Sequence, residues 1–519
     1  MISTKIRDCL FFMISFALIF NNIPKAIQLN FIGGAMATQL ALYPLIAGLI
    51  YTLYCEKKYG NIFVEKKIFT CFSFIYLSIM LVSMILGLIQ YPFYDEILNG
   101  PVTQIQKFSL VTSVLSYLQI QINKDDLVLG WMVIRVIKGI FLSYVWTFGM
   151  GYLVFCWYRS NWEQCFKVLE KAVIYAVCII LAYSSIEFFY LGHIKGAEEI
   201  LKAINPYIHS IKNDETWWPP LLWAGQLRSV FSEPSYFGIY ASFALPFLWN
   251  KVFTLRNNMG KVFLAGLIVA FTFSLFLTKA RTAVILLSGE LFLWTLLQVY
   301  AKNNKTIKRI SFILIFSLVS FVLANLFITN VMALKTEPIR RATIVTAADK
   351  YVGDNLKSIK GKENRSNRSR YSVMEADFQI GFEHPLLGVG LGLRNAYVGE
   401  KLCGMEHKSK EMEQWIQNQK EKGILRTEIP ALGEYTSRFA ETGIIGLSLY
   451  FLPATILVLK ASKKIMKNKQ SSEKEICFLI SFLGVMASGM GDTINITYSY
   501  WLLLGLGYAM CQSVKVKDE

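Results

Sequence analysis

Apolar residues along this chain gather into long unbroken runs, not into the alternation of a half-buried strand or the single stripe of a surface helix. The runs are roughly 18 to 25 residues long, about the length a helix needs to cross the hydrocarbon of a bilayer. Helices are predicted over 8–23, 31–54, 68–90, 128–157, 172–192, 235–252, 261–279, 281–300, 309–330, 439–459, 475–491 and 493–511. The first run imitates the apolar segment of a signal peptide. No small-residue cleavage site follows it and another run begins almost at once, so it reads as a retained helix. The expected fold is an all-α polytopic membrane protein of about twelve transmembrane helices, with one large extracytoplasmic loop carrying short helices.

Composition agrees with the pattern. Of 519 residues, 54% are hydrophobic and only 17% charged, which makes a soluble enzyme of this length a poor expectation. Cysteines such as Cys71, Cys156, Cys178, Cys477 and Cys511 lie inside apolar runs, where a thiol packs as a small hydrophobe, and their spacing suits no metal.

The net charge of +17 is unevenly spread. With the N-terminus taken as cytoplasmic, the inner connectors and tails hold 24 Lys and Arg, including Lys57, Lys58, Lys66, Lys67, Lys463 and Lys464, against eight on the outer connectors at 91–126, 193–234 and 279–281. Short cytoplasmic loops retain positive charge, so both termini are expected in the cytoplasm.

The chain then divides into residues 1–330 with nine spans, an outer loop over 331–438, and 439–519 with three spans and a tail. A loop of that length is seldom a passive connector, and long translocated segments escape the charge rule. Its stretch 357–370 (KSIKGKENRSNRSR) reads either as a mobile segment or as a basic lip for anionic lipid or substrate. Neither half carries the paired Gly/Pro-interrupted spans of many secondary transporters.

Three stretches carry candidate chemistry, all expected on the outer face. In 226–240 (QLRSVFSEPSYFGIY), Pro234 suits a first helical turn and Glu233 precedes it, as a cap or as a functional carboxylate; Arg228 is an interfacial anchor or an anion ligand. In 277–283 (LTKARTA), Lys279 and Arg281 sit where two apolar runs meet. Arg281 either snorkels to the interface or joins Arg228 in clamping a diphosphate, which a guanidinium's planar donor fork suits. Glu290, deeper in that span, is an intramembrane ionisable group.

The third stretch is 370–392 (RYSVMEADFQIGFEHPLLGVGLG) followed by 432–446 (LGEYTSRFAETGIIG). Met374, Phe378 and Phe382 at helical spacing predict an amphipathic helix over 371–382 lying on the membrane domain. Pro385 should end it, and Gly388, Gly390 and Gly392 permit an irregular turn. GVGLG follows no strand and lacks a phosphate-loop lysine, so a nucleotide site is set aside.

In their order and spacing these stretches resemble the O-antigen ligase and O-antigen polymerase superfamily of bacterial envelope enzymes, over residues 226–450. The resemblance implies a glycosyltransferase of the bacterial cytoplasmic (inner) membrane, with its active site on the extracytoplasmic face. It implies a polyprenyl-diphosphate-linked glycan donor, a glycan acceptor and surrounding membrane lipids, with a chain-length regulator and a flippase as protein partners, no nucleic acid, and neither metal nor cofactor.

Carried over, Arg228 and Arg281 would hold the diphosphate, with Lys279, Glu233 and Tyr435 in the substrate site. Ligases of the superfamily commonly show a histidine where this chain has Leu432, so the expected base is Glu434, with His384 as the other candidate. The missing histidine and the FSEPS pattern favour a polymerase that joins lipid-linked repeat units into O-antigen, capsule or exopolysaccharide. The alternatives are a ligase passing glycan to lipid A core or protein and, more distantly, a transporter of lipid-linked oligosaccharides.

Overall fold

The computed structural model describes residues 3–29, 37–60, 62–63, 66–101, 104, 113–114, 116–119, 123–210, 221–223, 225–301, 306–332, 365–405, 409–467 and 472–512. Within them the chain is helical throughout its regular structure. Each of the twelve predicted windows is occupied by helix: α1 (Thr4–Ala17), α2 (Leu42–Tyr59), α3 (Lys66–Ile89), α4 (Lys124–Tyr144, continuing through a π turn at Val145–Gly149 into Met150–Tyr158), α5 (Trp162–Leu191), α6 (Pro234–Thr254), α7 (Asn258–Leu277), α8 (Arg281–Ala301), α9 (Thr306–Asn330), α10 (Glu434–Lys467), α11 (Glu473–Ser488) and α12 (Ser499–Gln512). By length and composition seven helices among the described residues can cross a membrane: α3, α4, α5, α7, α8, α9 and α10. The other five are shorter or less apolar, so seven of the about twelve expected crossings meet this criterion. The molecule is a multi-pass membrane protein.

Local signals set several helix ends. Asn161 and Asn257 cap α5 and α7, accepting from the amides of Gln164 and Met259. α6 starts with Pro234 at its first turn behind an extended Glu233, as the sequence predicts. That helix is largely enclosed, packed against α8 and α11 and burying Phe237, Tyr240, Phe243, Phe247 and Trp249. Gly238 makes the fit possible, since a methyl there would sit 2.6 Å from the Ala283 Cβ; small residues let membrane helices approach closely. Conversely, α3 and α9 expose Ile68, Phe74, Ile89, Ile315 and Leu318, side chains suited to face lipid.

Between α9 and α10 the described chain folds three polar helices, Arg365–Glu383, Arg394–Cys403 and Lys410–Lys422. Arg394 forks onto the buried Asp377 and reaches the Ile429 carbonyl at 3.1 Å, while Asn395 bridges to Ile424, Thr427 and Ile429. Of the basic stretch 357–370, residues 365–370 open the first of these helices, and 357–364 lie outside the described residues.

The helix expected over 371–382 forms, but it presents a different face from the one predicted. Val373, Ala376 and Ile380 are buried against α10, whereas Phe378 and Phe382 are 45% and 72% exposed. Both triplets have helical spacing; the Phe439 ring of α10 closes over Gly381, where a methyl would lie 2.2 Å from it, and rests edge-on against Phe382, so the two phenylalanines border the contact and do not fill it.

Beyond His384 the chain turns through Gly388, Gly390 and Gly392, at φ 67°, 101° and 84°, the left-handed region the sequence anticipates. This turn docks onto a break in α10 at Gly443 (φ 60°, ψ −167°). Val389 and Gly390 donate to the carbonyls of Ala440 and Glu441, and Ile444 donates to that of Pro385, so backbone groups around the break are paired across the contact.

Candidate functional site

Backbone contacts bring the three sequence stretches to one end of the bundle. Leu227 donates its amide to the Leu277 carbonyl at 3.1 Å, joining the Arg228 segment to the Lys279 hairpin. Gly238 against Ala283 packs the N-terminal part of α6 against that of α8, the helix that opens with Arg281. The Glu434 amide donates to the carbonyls of Gly489 and Asp492, at 2.9 and 3.1 Å, fixing the start of α10 to the turn after α11. Arg370 reaches that turn from the polar helices, donating to the Gly491 carbonyl and lying 3.6 Å from the Asp492 carboxylate.

Four ionisable groups therefore crowd one small region: Glu233, Arg370, Glu434 and Asp492. Burial, reinforced by the nearby Asp492 carboxylate, pushes the half-buried Glu233 carboxyl up to about 7 against the pull of Arg370. Burial also raises Asp492, again opposed by Arg370. A carboxyl poised near neutrality beside an arginine suits proton transfer.

Glu434 occupies a different environment. It is 2% exposed, and its carboxylate accepts from Arg438 Nε at 3.0 Å and from the Tyr450 hydroxyl at 2.8 Å. The Tyr435 hydroxyl donates to the Met486 carbonyl. His384 ends the helix begun at Arg365, its ring edge-on to Tyr397. Fourteen residues separate it from Arg370 in sequence, about 20 Å at helical rise, so the structure does not bring it to the Glu233 cluster.

The expected arginine pair is at one end of the bundle, with unequal exposure. Arg228 is 1% exposed, close to Glu187 and donating from Nη1 to the Ser232 carbonyl at 3.3 Å. Burial lowers its proton affinity, with Glu187 opposing. Arg281 is half-buried at the first turn of α8. Lys279 has left-handed backbone (φ 52°), and burial lowers its proton affinity too. Glu290 lies 1% exposed where α6, α8 and α11 meet, beside Gly484 and Ser242, remote from this region.

Sequence reasoning did not single out Asp492, Asp377 or Arg394. The first sits in a short connector between two apolar runs, and an acid there was the available signal. Among the described residues no group of three His, Cys, Asp or Glu could hold a metal ion. Between α7 and α9 lies an open apolar crevice of about 810 Å³ lined by Val262, Gly266, Val269, Ala270, Phe273 and Phe327.

Residues 265–451 match a family model described as O-antigen ligase. The matched segment takes in Lys279, Arg281, Arg370, His384 and Glu434, and ends before Asp492. No curated protein matches the chain.

Proposed function

We propose that this chain, for which the matched segment supports membership of the O-antigen ligase and polymerase superfamily, polymerises polyprenyl-diphosphate-linked oligosaccharide units on the outer face of the cytoplasmic membrane. The observation that carries the reading is the meeting of a carboxyl held near neutrality, Glu233, with Arg370 and Asp492 at the start of α6, the helix packed through Gly238 against Ala283 of α8. An acceptor hydroxyl attacks the anomeric carbon of the donor, and the bond from that carbon to the diphosphate oxygen breaks. The hydroxyl proton passes to a carboxylate, and the diphosphate departs on its lipid.

Negative charge grows on the leaving diphosphate, so donors fixed in place before the reaction lower the barrier. Arg281 and Lys279 are the accessible cations for that task, with Arg228 supplying charge from beneath the turn. For the proton, Glu233 is better disposed than Glu434, because the Glu434 carboxylate is already engaged by Arg438 and Tyr450. In this reading Glu434 orders the start of α10, Tyr435 ties it to α11, and His384 shapes the glycine turn.

The second reading, a ligase that passes finished glycan to another acceptor, is favoured by the description of the matched family. Both use the same bond exchange. The test is the purified chain in liposomes with a polyprenyl-diphosphate-linked oligosaccharide. Lengthening of lipid-linked glycan supports polymerase, transfer only to an added lipid A core or protein acceptor supports ligase, and no transfer to any acceptor overturns both.

A further inference from the structure

Glu187 is a fully buried carboxylate on α5, one turn from that helix's C-terminal end, and the proposed reaction gives it no part. One of its oxygens, Oε2, accepts two consecutive backbone amides, from Arg228 at 3.0 Å and from Ser229 at 2.7 Å. Ser229 has φ 57°, a left-handed conformation that a residue with a side chain rarely adopts. Its hydroxyl donates to the Ile180 carbonyl at 2.8 Å, two turns back along the same helix. The turn that begins at Arg228 is thus pinned to α5 at two points.

Further ties hold it from other directions: Leu227 to Leu277, and the Ser232 amide to the Asn21 side chain at 3.2 Å. The pinned turn runs directly into Glu233 and the first turn of α6.

We propose that Glu187 is the positioning residue of the donor site: by accepting the Arg228 and Ser229 amides it holds Ser229 left-handed and so fixes where Arg228 and Glu233 stand. The proposal rests on the transfer reading for its consequence, but not for its geometry. A carboxylate held by two amides at a strained residue over-determines a conformation that the local sequence disfavours. The acceptor oxygen is what matters, so a neutral amide oxygen at the same place serves in part.

The experiment uses the full chain reconstituted in liposomes as wild type, Glu187→Ala, Glu187→Gln and the double variant Glu187→Ala with Ser229→Gly. Amide hydrogen exchange of the 226–233 peptide is read beside kcat and donor KM per folded molecule, with a polyprenyl-diphosphate-linked oligosaccharide as donor. Glu187→Ala should speed exchange in 226–233, lower kcat at least tenfold and raise donor KM. Glu187→Gln should keep exchange slow. Ser229→Gly should return part of the lost kcat, because glycine takes the left-handed conformation freely although it gives up the hydroxyl tie to Ile180.

A role in bulk packing alone would reduce the yield of folded protein, leave kcat and KM per folded molecule unmoved and give no rescue, and that result overturns the proposal. So does unchanged exchange at 226–233 in Glu187→Ala. If that variant does not fold, Glu187→Asp, which withdraws the oxygen by one methylene, is judged by the same readouts. If wild type transfers no glycan, the transfer reading fails, while the exchange contrast still decides whether Glu187 holds the turn.

Discussion

Arg370 stands 3.6 Å from the Asp492 carboxylate while its guanidinium donates to the Gly491 carbonyl, so one side chain from the polar helices fastens the turn between α11 and α12. Both partners are largely enclosed, with side chains 25% and 8% exposed, and Glu233 lies within their field. Removing Arg370 leaves two carboxylates facing each other without a counter-charge, which is costly in a partly desolvated place. Arg370→Ala should lower glycan transfer by roughly 100-fold or more. Adding Asp492→Ala should then cost less than it does in the wild-type background, with a coupling of about 1 to 3 kcal/mol. A double-mutant cycle on initial rates checks this; strict additivity would show that the two side chains act independently.

The raised Glu233 carboxyl fixes a direction for pH effects. Its proton is held up to about 7 in the folded chain but only to about 4.3 in an unfolded one. Between those values the folded state binds more proton, so the stability this group contributes is present at low pH and declines as pH rises from about 4.3 toward 7. In the proposed reaction activity runs the other way, because there the ionised carboxylate takes the proton. Transfer should rise with pH through an apparent value near 7, and Glu233→Gln should reduce it by about 10² to 10⁴-fold and flatten the profile. Rates measured from pH 5 to 9 test this, and a Gln variant that keeps the wild-type profile would remove Glu233 from the proton transfer.

What could be read in advance divides along physical lines. Helices were legible because uninterrupted apolar runs admit few other structures in a bilayer, and the φ values of Gly388, Gly390 and Gly392 match what a glycine-rich turn after Pro385 requires. The face of the 365–383 helix was not, because Val373, Ala376, Ile380 and Met374, Phe378, Phe382 satisfy the same period. Only the tertiary fit at Gly381 chooses between them. At the site, Glu233 and the cationic hairpin were visible as charges at span ends. Asp492 as the partner of Arg370, and Glu187 as the acceptor beneath Arg228, depend on contacts between residues 122 and 41 positions apart. Periodicity carries no record of such pairings.

The contact between Gly388 and the broken helix α10 should be intolerant of any side chain. A methyl on Gly388 would stand 2.3 Å from the Glu441 carbonyl carbon and 2.4 Å from the Thr442 nitrogen, both backbone atoms that cannot swing aside. Its φ of 67° adds strain. Gly388→Ala should destabilise by about 2 kcal/mol or more, whereas Gly404→Ala, whose methyl would meet only a carbonyl at 3.5 Å, should stay within about 0.5 kcal/mol. Thermal unfolding of the detergent-solubilised protein separates them, and equal transition temperatures would contradict the close docking.

A polyprenyl donor also needs a path for its tail, and the crevice between α7 and α9 offers one. It is lined by apolar side chains along α7, the helix that leads directly into Lys279 and Arg281. At its end nearer Lys279, Phe273 and Phe327 close on Phe188. Just beyond α9, Met332 and the Lys279 ammonium both approach Gly225, at 3.4 and 3.5 Å from where its Cβ would stand. An apolar crevice along a helix that leads to a cation suits a lipid with an anionic head.

Gly266 allows a clean test, since a Cβ there meets no atom within 4 Å. Gly266→Leu should fill the crevice without disturbing the fold. Donor KM should then rise several-fold with a long polyprenyl chain and stay unchanged with a donor of one or two isoprene units, which ends before reaching that depth. Equal KM values for wild type and variant with the long-chain donor would show that the crevice holds ordinary membrane lipid and that the donor's tail lies elsewhere.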